Sequence, residues 1–256
     1  MKRIKKGDFS SLAKDYAKYR PSYNRFLVDI VFGALPTRAK AADVADIGAG
    51  TGIFTKCLLE KEPASIIAVE PNDEMRNAGQ STTPDGIIWQ KGSAEDTGLP
   101  ENSCDLVSMA SSFHWPDTGK ALAEFNRILR HDGIFTALWN PRLTERSVTE
   151  AKVDQLLVEK YDLKKRVSSG RSGITNNLAE ILTKSGYFSN VAYCEAVDVV
   201  HITPEHYLGA WRSVNDIRSE LGEQNFAAFI QDVKEICSGL NHVEVHYLTR
   251  AWIAQK

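Results

Sequence analysis

Between residues 42 and 139 the chain alternates short apolar runs with segments whose apolar positions recur every three or four residues. Apolar runs at 42–47, 65–70, 87–91, 105–110 and 133–139 are the length of buried strands. Helical spacing fills the gaps, first over 52–60 and then after Asn72, a side chain suited to cap a helix whose first turn carries Asp73 and Glu74. A third helix is predicted over 117–130, with Ala121, Leu122, Phe125, Ile128 and Leu129 on one face. Strand–helix alternation with short connections predicts a parallel sheet covered on both sides, so residues 40–140 read as a doubly wound α/β domain. Upstream, Phe26, Leu27, Ile30 and Val31 fall at helical spacing, with Pro21 placed to open that helix and Pro36 just past its end.

The C-terminal part has a different rhythm. Helices are predicted over 147–161, 177–185, 204–214 and 223–237, with Gly186 in a C-cap position. Strands are predicted over 191–200 and 243–253, and a basic Ser/Gly-rich loop over 163–177. These helices exceed what covering a sheet requires, so some are expected to cap its carboxyl edge, where doubly wound domains bind ligands. The expected organisation is an N-terminal helical segment (1–36), an α/β binding core (37–142), and the remaining strands with a helical cap (143–256).

Composition narrows the function classes. At 256 residues, 43% hydrophobic and 25% charged, the chain can bury a sizeable core and is neither a disordered tail nor a disulfide-stapled miniprotein. Thirty-one basic against 33 acidic residues give a net charge of −2, which speaks against a nucleic-acid partner. No apolar run approaches the roughly 20 residues of a membrane helix, and the basic residues 1–6 are followed by no apolar stretch, so neither a membrane partner nor a secretory signal is expected. Cys57, Cys104, Cys194 and Cys237 lie singly in apolar segments, as reduced core residues of a cytoplasmic protein would. His242 and His246 are four apart in a predicted strand, a spacing that makes no helical metal pair, and no metal site is expected. Lys164, Lys165, Arg166 and Arg171 read as a solvated loop.

The chemistry concentrates in residues 46–52, Asp-Ile-Gly-Ala-Gly-Thr-Gly, where the first strand turns into the first helix. Glycines there let the backbone turn sharply and approach a ligand, and the helix behind offers unpaired N–H groups. Twenty-two positions after Gly48, Glu70 closes the second strand, where a carboxylate can accept both hydrogen bonds of a ribose diol. Together they predict an adenosine-containing ligand. The loop reads GAGTG, whereas the dinucleotide fingerprint is GxGxxG, so the third glycine stands one residue early for a nicotinamide cofactor.

With the segments IIAVEPNDEM, KGSAEDTGLPENSCDLVSMASSFHW and LRHDGIFTALWN in that order, DIGAGTG resembles the class I S-adenosylmethionine-dependent methyltransferases, in particular the type 11 small-molecule branch. The resemblance covers roughly residues 8–140. It implies a mostly parallel, seven-stranded Rossmann-like sheet with its last strand antiparallel, and S-adenosyl-L-methionine as cofactor. It implies that Gly48, Ala49, Gly50 and Gly52 wrap the methionine part, that Asp46 lies near the cofactor's amino group and that Glu70 binds the ribose. Pro71 and Met75 then line the adenine side, and Ser93, Ala94 and Glu95 read the adenine edge, with Ser93 standing where many relatives carry Asp. Ala110 falls beside the methyl group, and Tyr19 and Arg20 belong to an N-terminal stretch that folds over the cofactor.

At the predicted carboxyl edge after the fourth strand, Phe113, His114 and Trp115 are candidates for the acceptor pocket, with Tyr16 and Trp211. His114 has two readings, a general base suited by an ordinary pKa of about 6.5, or a hydrogen-bonding and packing residue. The leading expectation is an enzyme that transfers a methyl group to a small molecule, an organic acid or a secondary metabolite. A nicotinamide-dependent oxidoreductase and a non-catalytic module that binds S-adenosylmethionine are the alternatives.

Overall fold

A computed structural model describes residues 18–163, 170–171 and 173–256. The candidate Tyr16 and the basic stretch 164–166 lie outside the described residues. The strands are β1 (Asp43–Ile47), β2 (Ser65–Val69), β3 (Ile87–Gln90), β4 (Cys104–Ala110), β5 (Leu129–Trp139), β6 (Asn190–Ile202) and β7 (Val243–Gln255). They form one seven-stranded sheet in the order β3-β2-β1-β4-β5-β7-β6. The pairs β1–β2, β1–β4, β2–β3 and β4–β5 are parallel, and β7 runs antiparallel to β5, from Ile134↔Gln255 to Trp139↔Arg250. The strand order reverses at β1, which has β2 on one side and β4 on the other. Doubly wound sheets bind ligands outside the carboxyl ends of the strands at that switch point.

The helices are α1 (Arg25–Gly33), α2 (Ile53–Leu59), α3 (Asp73–Thr82), α4 (Thr118–Ile128), α5 (Val148–Glu159), α6 (Leu178–Lys184), α7 (Pro204–Arg212) and α8 (Asn215–Ile236). Two expected boundaries move. Asn24, not Pro21, starts α1: its side chain accepts from the Leu27 N–H at 3.1 Å, satisfying one of the orphan donors of the first turn. The helix expected to run to residue 130 stops at Ile128. Leu129 instead pairs with Cys104, and the Arg130 guanidinium bridges Asp43 of β1 (2.7 Å) and Asp105 of β4 (2.5 Å). In the C-terminal region, α8 is two helical stretches that meet at Gly222, whose φ of 73° and ψ of 164° are not helical, and the second begins at Glu223 as expected.

The chain forms two compact units, each drawn from separate stretches of the sequence. Among the described residues, the larger comprises 22–141, 170–171, 173–196 and 248–256, and the smaller comprises 18–21, 142–163 and 197–247. In the larger unit the strands carry apolar side chains on both faces, as a sheet covered on both sides requires. Ala45, Ile47, Val107, Met109 and Phe135 join Phe113 and Phe125 in one core cluster. Val44, Ile66, Leu106, Ile134 and Leu138 join Leu27, Val28 and Val31 of α1 in the other. The smaller unit has its own core, built from Val153, Tyr207, Trp211, Phe229, Val233, Val243 and Val245.

Candidate functional site

The switch point is built from the turns that follow β1, β2 and β4. After β1 the backbone enters the left-handed region three times, at Gly48 (φ 64°), Gly50 (φ 59°) and Gly52 (φ 80°), and Gly52 is the N-cap of α2. The loop is tied to the end of β2: Gly48 and Ala49 donate to the Val69 carbonyl at 2.8 and 3.2 Å. Glu70 completes the connection, its carboxylate accepting from the Gly50 N–H at 2.8 Å and the Asn72 N–H at 2.9 Å. Asn72 in turn caps α3 by accepting from the Met75 N–H, as expected from the sequence. Glu70 is 7% exposed. Burial raises its pKa above the ordinary carboxyl value, against the lowering effect of the two backbone donors and of Arg76.

Asp46 lies directly beneath the loop and is wholly buried. Each of its oxygens accepts from a hydroxyl, Thr55 of α2 at 2.6 Å and Ser108 of β4 at 2.8 Å. Desolvation pushes its pKa up to about 6, the two hydroxyls work in the opposite direction, and the neighbouring charge of Glu70 raises it further. Thr55 and Ser108 were not singled out in the sequence. Their signal was there to read, since each is a hydroxyl inside an otherwise apolar helix or strand and so needs a partner. Thr51 is likewise buried within the loop, and among the described residues its Oγ1 has no hydrogen-bond partner.

The remaining candidates divide clearly. Met75 is buried, its methyl group facing Gly50, where a Cβ would stand 3.5 Å away. Pro71 is exposed just past Glu70. The Ser93 hydroxyl accepts from the N–H groups of Glu95 (3.3 Å) and Asp96 (3.2 Å), the turn that a carboxylate at this position would also close. Ala94 is buried, and Glu95 accepts from the Asp117 N–H that starts α4. After β4, Ala110 leads into Ser111, a non-glycine residue at φ 55°, whose hydroxyl lies 2.8 Å from that of Tyr23. Residues held in this region of backbone space cluster at functional sites.

Phe113 departs from the expectation of a pocket residue. It is wholly buried against Phe125 and Phe135, in the core. Trp115 is 53% exposed and packs on the His114 ring at 4.7 Å between centroids. The expected pKa of 6.5 for His114 does not survive folding: burial lowers it to about 4. The Trp139 indole N–H donates to His114 Nδ1 at 3.4 Å, which leaves the proton of the neutral ring on Nε2.

Tyr19, Arg20 and Trp211 belong to the smaller unit. Tyr19 stacks where Gly209 of α7 has no side chain, since a Cβ there would fall 2.5 Å from its ring, and its ring meets His206 edge-on at 5.3 Å. Arg20 donates to the Ser213 hydroxyl (3.1 Å) and carbonyl (3.3 Å) at the end of α7. Trp211 is buried in the core of this unit. Among the described residues there is no group of three or more His, Cys, Asp or Glu that could hold a metal ion, and no helix long and apolar enough to cross a membrane.

Residues 45–137 match a family described as a methyltransferase domain. An uncharacterised methyltransferase of Mycobacterium tuberculosis is 36% identical over 134 residues, 52% of either chain. The chain thus spans about half the length of such curated relatives. One from Schizosaccharomyces pombe aligns over 97% of this chain and 96% of its own at 25% identity. Among solved structures, a type II methyltransferase of Anaeromyxobacter dehalogenans shares the fold with a TM-score of 0.66 at 21% identity, over 93% of this chain and 98% of the other. Residues 45–137 are thus similar to the methyltransferase-domain family, and the chain shares its fold with that solved structure.

Proposed function

We propose that this chain transfers the methyl group of S-adenosyl-L-methionine to a small-molecule acceptor, with organic acids and secondary metabolites as the classes to test first. The observation that carries this reading is the junction of Gly50 and Glu70 at the switch point. A left-handed glycine loop is fastened to a buried carboxylate at the end of β2. The residues fit the cofactor on two further counts. Thr51 Oγ1 is a buried hydroxyl in the loop with no partner among the described residues. Glu70 spends one acceptor position of each oxygen on a backbone N–H, and an ionised carboxylate has about four such positions.

In this reading Gly48, Ala49, Gly50 and Gly52 bear on the methionine part and Glu70 on the ribose. Pro71 and Met75 bear on one side of the adenine, and the turn of Ser93, Ala94 and Glu95 on its edge. Asp46 supports the loop from beneath and supplies negative charge on the amino-group side. Ala110 is assigned to the methyl side and Trp115 to the acceptor side, while Phe113 acts through the core. Bound S-adenosylmethionine would supply a sulfonium methyl that a nucleophile displaces in line, so the protein's work is positioning and exclusion of water. His114, neutral with its proton on Nε2, is assigned as a hydrogen-bond donor to the acceptor. The general-base reading suits a ring with a pKa near 4 poorly.

The test is stabilisation by ligand. S-adenosylmethionine or S-adenosylhomocysteine at 100 times its dissociation constant should add about 2.7 kcal/mol. Stabilisation by NAD alone would favour the oxidoreductase alternative and overturn the proposal. Binding without turnover on a broad acceptor panel would favour a non-catalytic module.

A loop variant checks the geometry. At Gly50 a Cβ meets only Met75, at ordinary contact distance, so the cost of a side chain there is in the backbone. Gly50→Val is expected to lose about 1–3 kcal/mol of stability in urea, because a β-branched residue tolerates φ near +60° poorly. Unchanged stability would mean that the loop adopts another conformation.

A further inference from the structure

Among the described residues, the buried side-chain nitrogen and oxygen atoms with no hydrogen-bond partner are Thr51 Oγ1, Glu150 Oε2, Tyr207 OH, Trp211 Nε1 and His246 Nδ1. The first belongs to the glycine loop. The other four belong to the smaller unit, where they gather around Arg142. Glu150 of α5, wholly buried, pairs with the Arg142 guanidinium at 3.1 Å through one oxygen and leaves the other unpartnered. Two aromatic rings of α7 wall the guanidinium, with its central carbon 4.9 Å from the Trp211 centroid and 5.5 Å from that of Tyr207. The two rings meet edge-on at 6.2 Å, close enough to influence one another, yet neither polar atom closes a hydrogen bond of sound geometry. From β7, Tyr247 pairs with Arg142 across an isolated bridge and hydrogen-bonds its side chain, and the His246 ring acts electrostatically on Glu150.

Natural proteins leave few buried polar groups unsatisfied, and a group of them in one place calls for a partner. The chemistry of that partner follows from what is on offer. Arg142 carries five N–H donors and gives one to Glu150 and one to Tyr247; the indole N–H of Trp211 can only donate, and the Tyr207 hydroxyl can donate. A guanidinium flanked by aromatic faces presents its remaining donors in a planar fork that matches a carboxylate. Burial raises the Glu150 carboxyl above its ordinary value, which eases the uptake of a proton when a second negative charge approaches Arg142.

We propose that Arg142, Tyr207 and Trp211, with Glu150 and His246 behind them, form a binding site for a small organic carboxylate within the smaller unit. The proposal stands on these residues alone and does not depend on the methyl-transfer reading.

The test uses the full chain and no nucleotide, with citrate, malate and succinate as carboxylate probes and inorganic phosphate as the competing kind of anion. Wild-type protein should melt higher with at least one carboxylate, and calorimetry should give a dissociation constant. Tyr207→Phe keeps the ring over Arg142 and removes the hydroxyl. Its melting point without ligand should be equal or higher, because an unpaired buried hydroxyl is lost, while carboxylate affinity falls at least tenfold. Trp211→Phe provides the second variant should the first not fold, and should weaken binding in the same direction. The site is overturned if no carboxylate shifts melting, or if both variants bind as the wild type does. Binding of phosphate alone would overturn the carboxylate assignment.

Discussion

Glu70→Ala is expected to lower the affinity for S-adenosylhomocysteine at least a hundredfold, measured by calorimetry, while the protein stays folded. Hydrogen bonds to a charged group contribute about 1.5–3 kcal/mol each, and a ribose diol offers two. About 1.4 kcal/mol is a tenfold change, so the loss of both reaches the stated size. A second effect adds to it. The same carboxylate holds the Gly50 and Asn72 N–H groups, so its removal releases the glycine loop from the end of β2. The fold should survive, because Val69 still accepts from Gly48 and Ala49. Glu70→Gln keeps one acceptor oxygen but turns an amide donor toward a backbone N–H, and should fall between the alanine variant and the wild type. Unchanged affinity in Glu70→Ala would show that the nucleoside lies elsewhere.

The contrast between Glu70 and Asp46 shows what a sequence makes legible. Strand–helix alternation located all five strands of the core to within a few residues, because apolar periodicity is a local property of the chain. The glycine loop and Glu70 were legible for the same reason: backbone freedom and a carboxylate at a strand end are visible one residue at a time. The two hydroxyls that hold Asp46 come from a helix and from a strand 62 positions away, and only folding brings them together. The end of α4 was misplaced because Leu129 continues its apolar face, whereas Arg130 is recruited by Asp43 and Asp105 across the sheet. Arg142 drew no notice for a similar reason. Its partners Glu150, Tyr207, Trp211 and Tyr247 are spread over a hundred residues and look, singly, like ordinary core or surface positions.

Asp46 and His114 should impose opposite pH dependences on stability, and single variants should unmask each. His114 has its pKa lowered in the fold, from 6.5 to about 4. The unfolded chain therefore binds the proton more readily, and the stability His114 confers is present above pH 6.5 and lost as pH falls toward 4. Asp46 is raised, from 3.8 to about 6. Here the folded chain binds the proton more readily, so stability is full below pH 3.8 and declines as pH rises through 6. At about 1.4 kcal/mol per unit, each shift corresponds to roughly 3 kcal/mol at most, and over pH 4–6 the two nearly cancel. Asp46→Asn removes the acidic branch and leaves an amide between the two hydroxyls. Its stability relative to wild type should therefore rise between pH 4 and pH 7, as measured by urea denaturation. His114→Gln keeps an N–H donor but cannot titrate, and relative to wild type it should gain stability as pH falls from 7 to 4. Equal differences at both ends of the range would show that neither group is buried as described. Nitrogen NMR of His114 supplies the independent check, with Nδ1 unprotonated and Nε2 protonated down to about pH 5. A ring that takes up its second proton near pH 6.5 would return the general-base reading to contention, because the donor role assigned to Nε2 depends on a neutral imidazole at working pH.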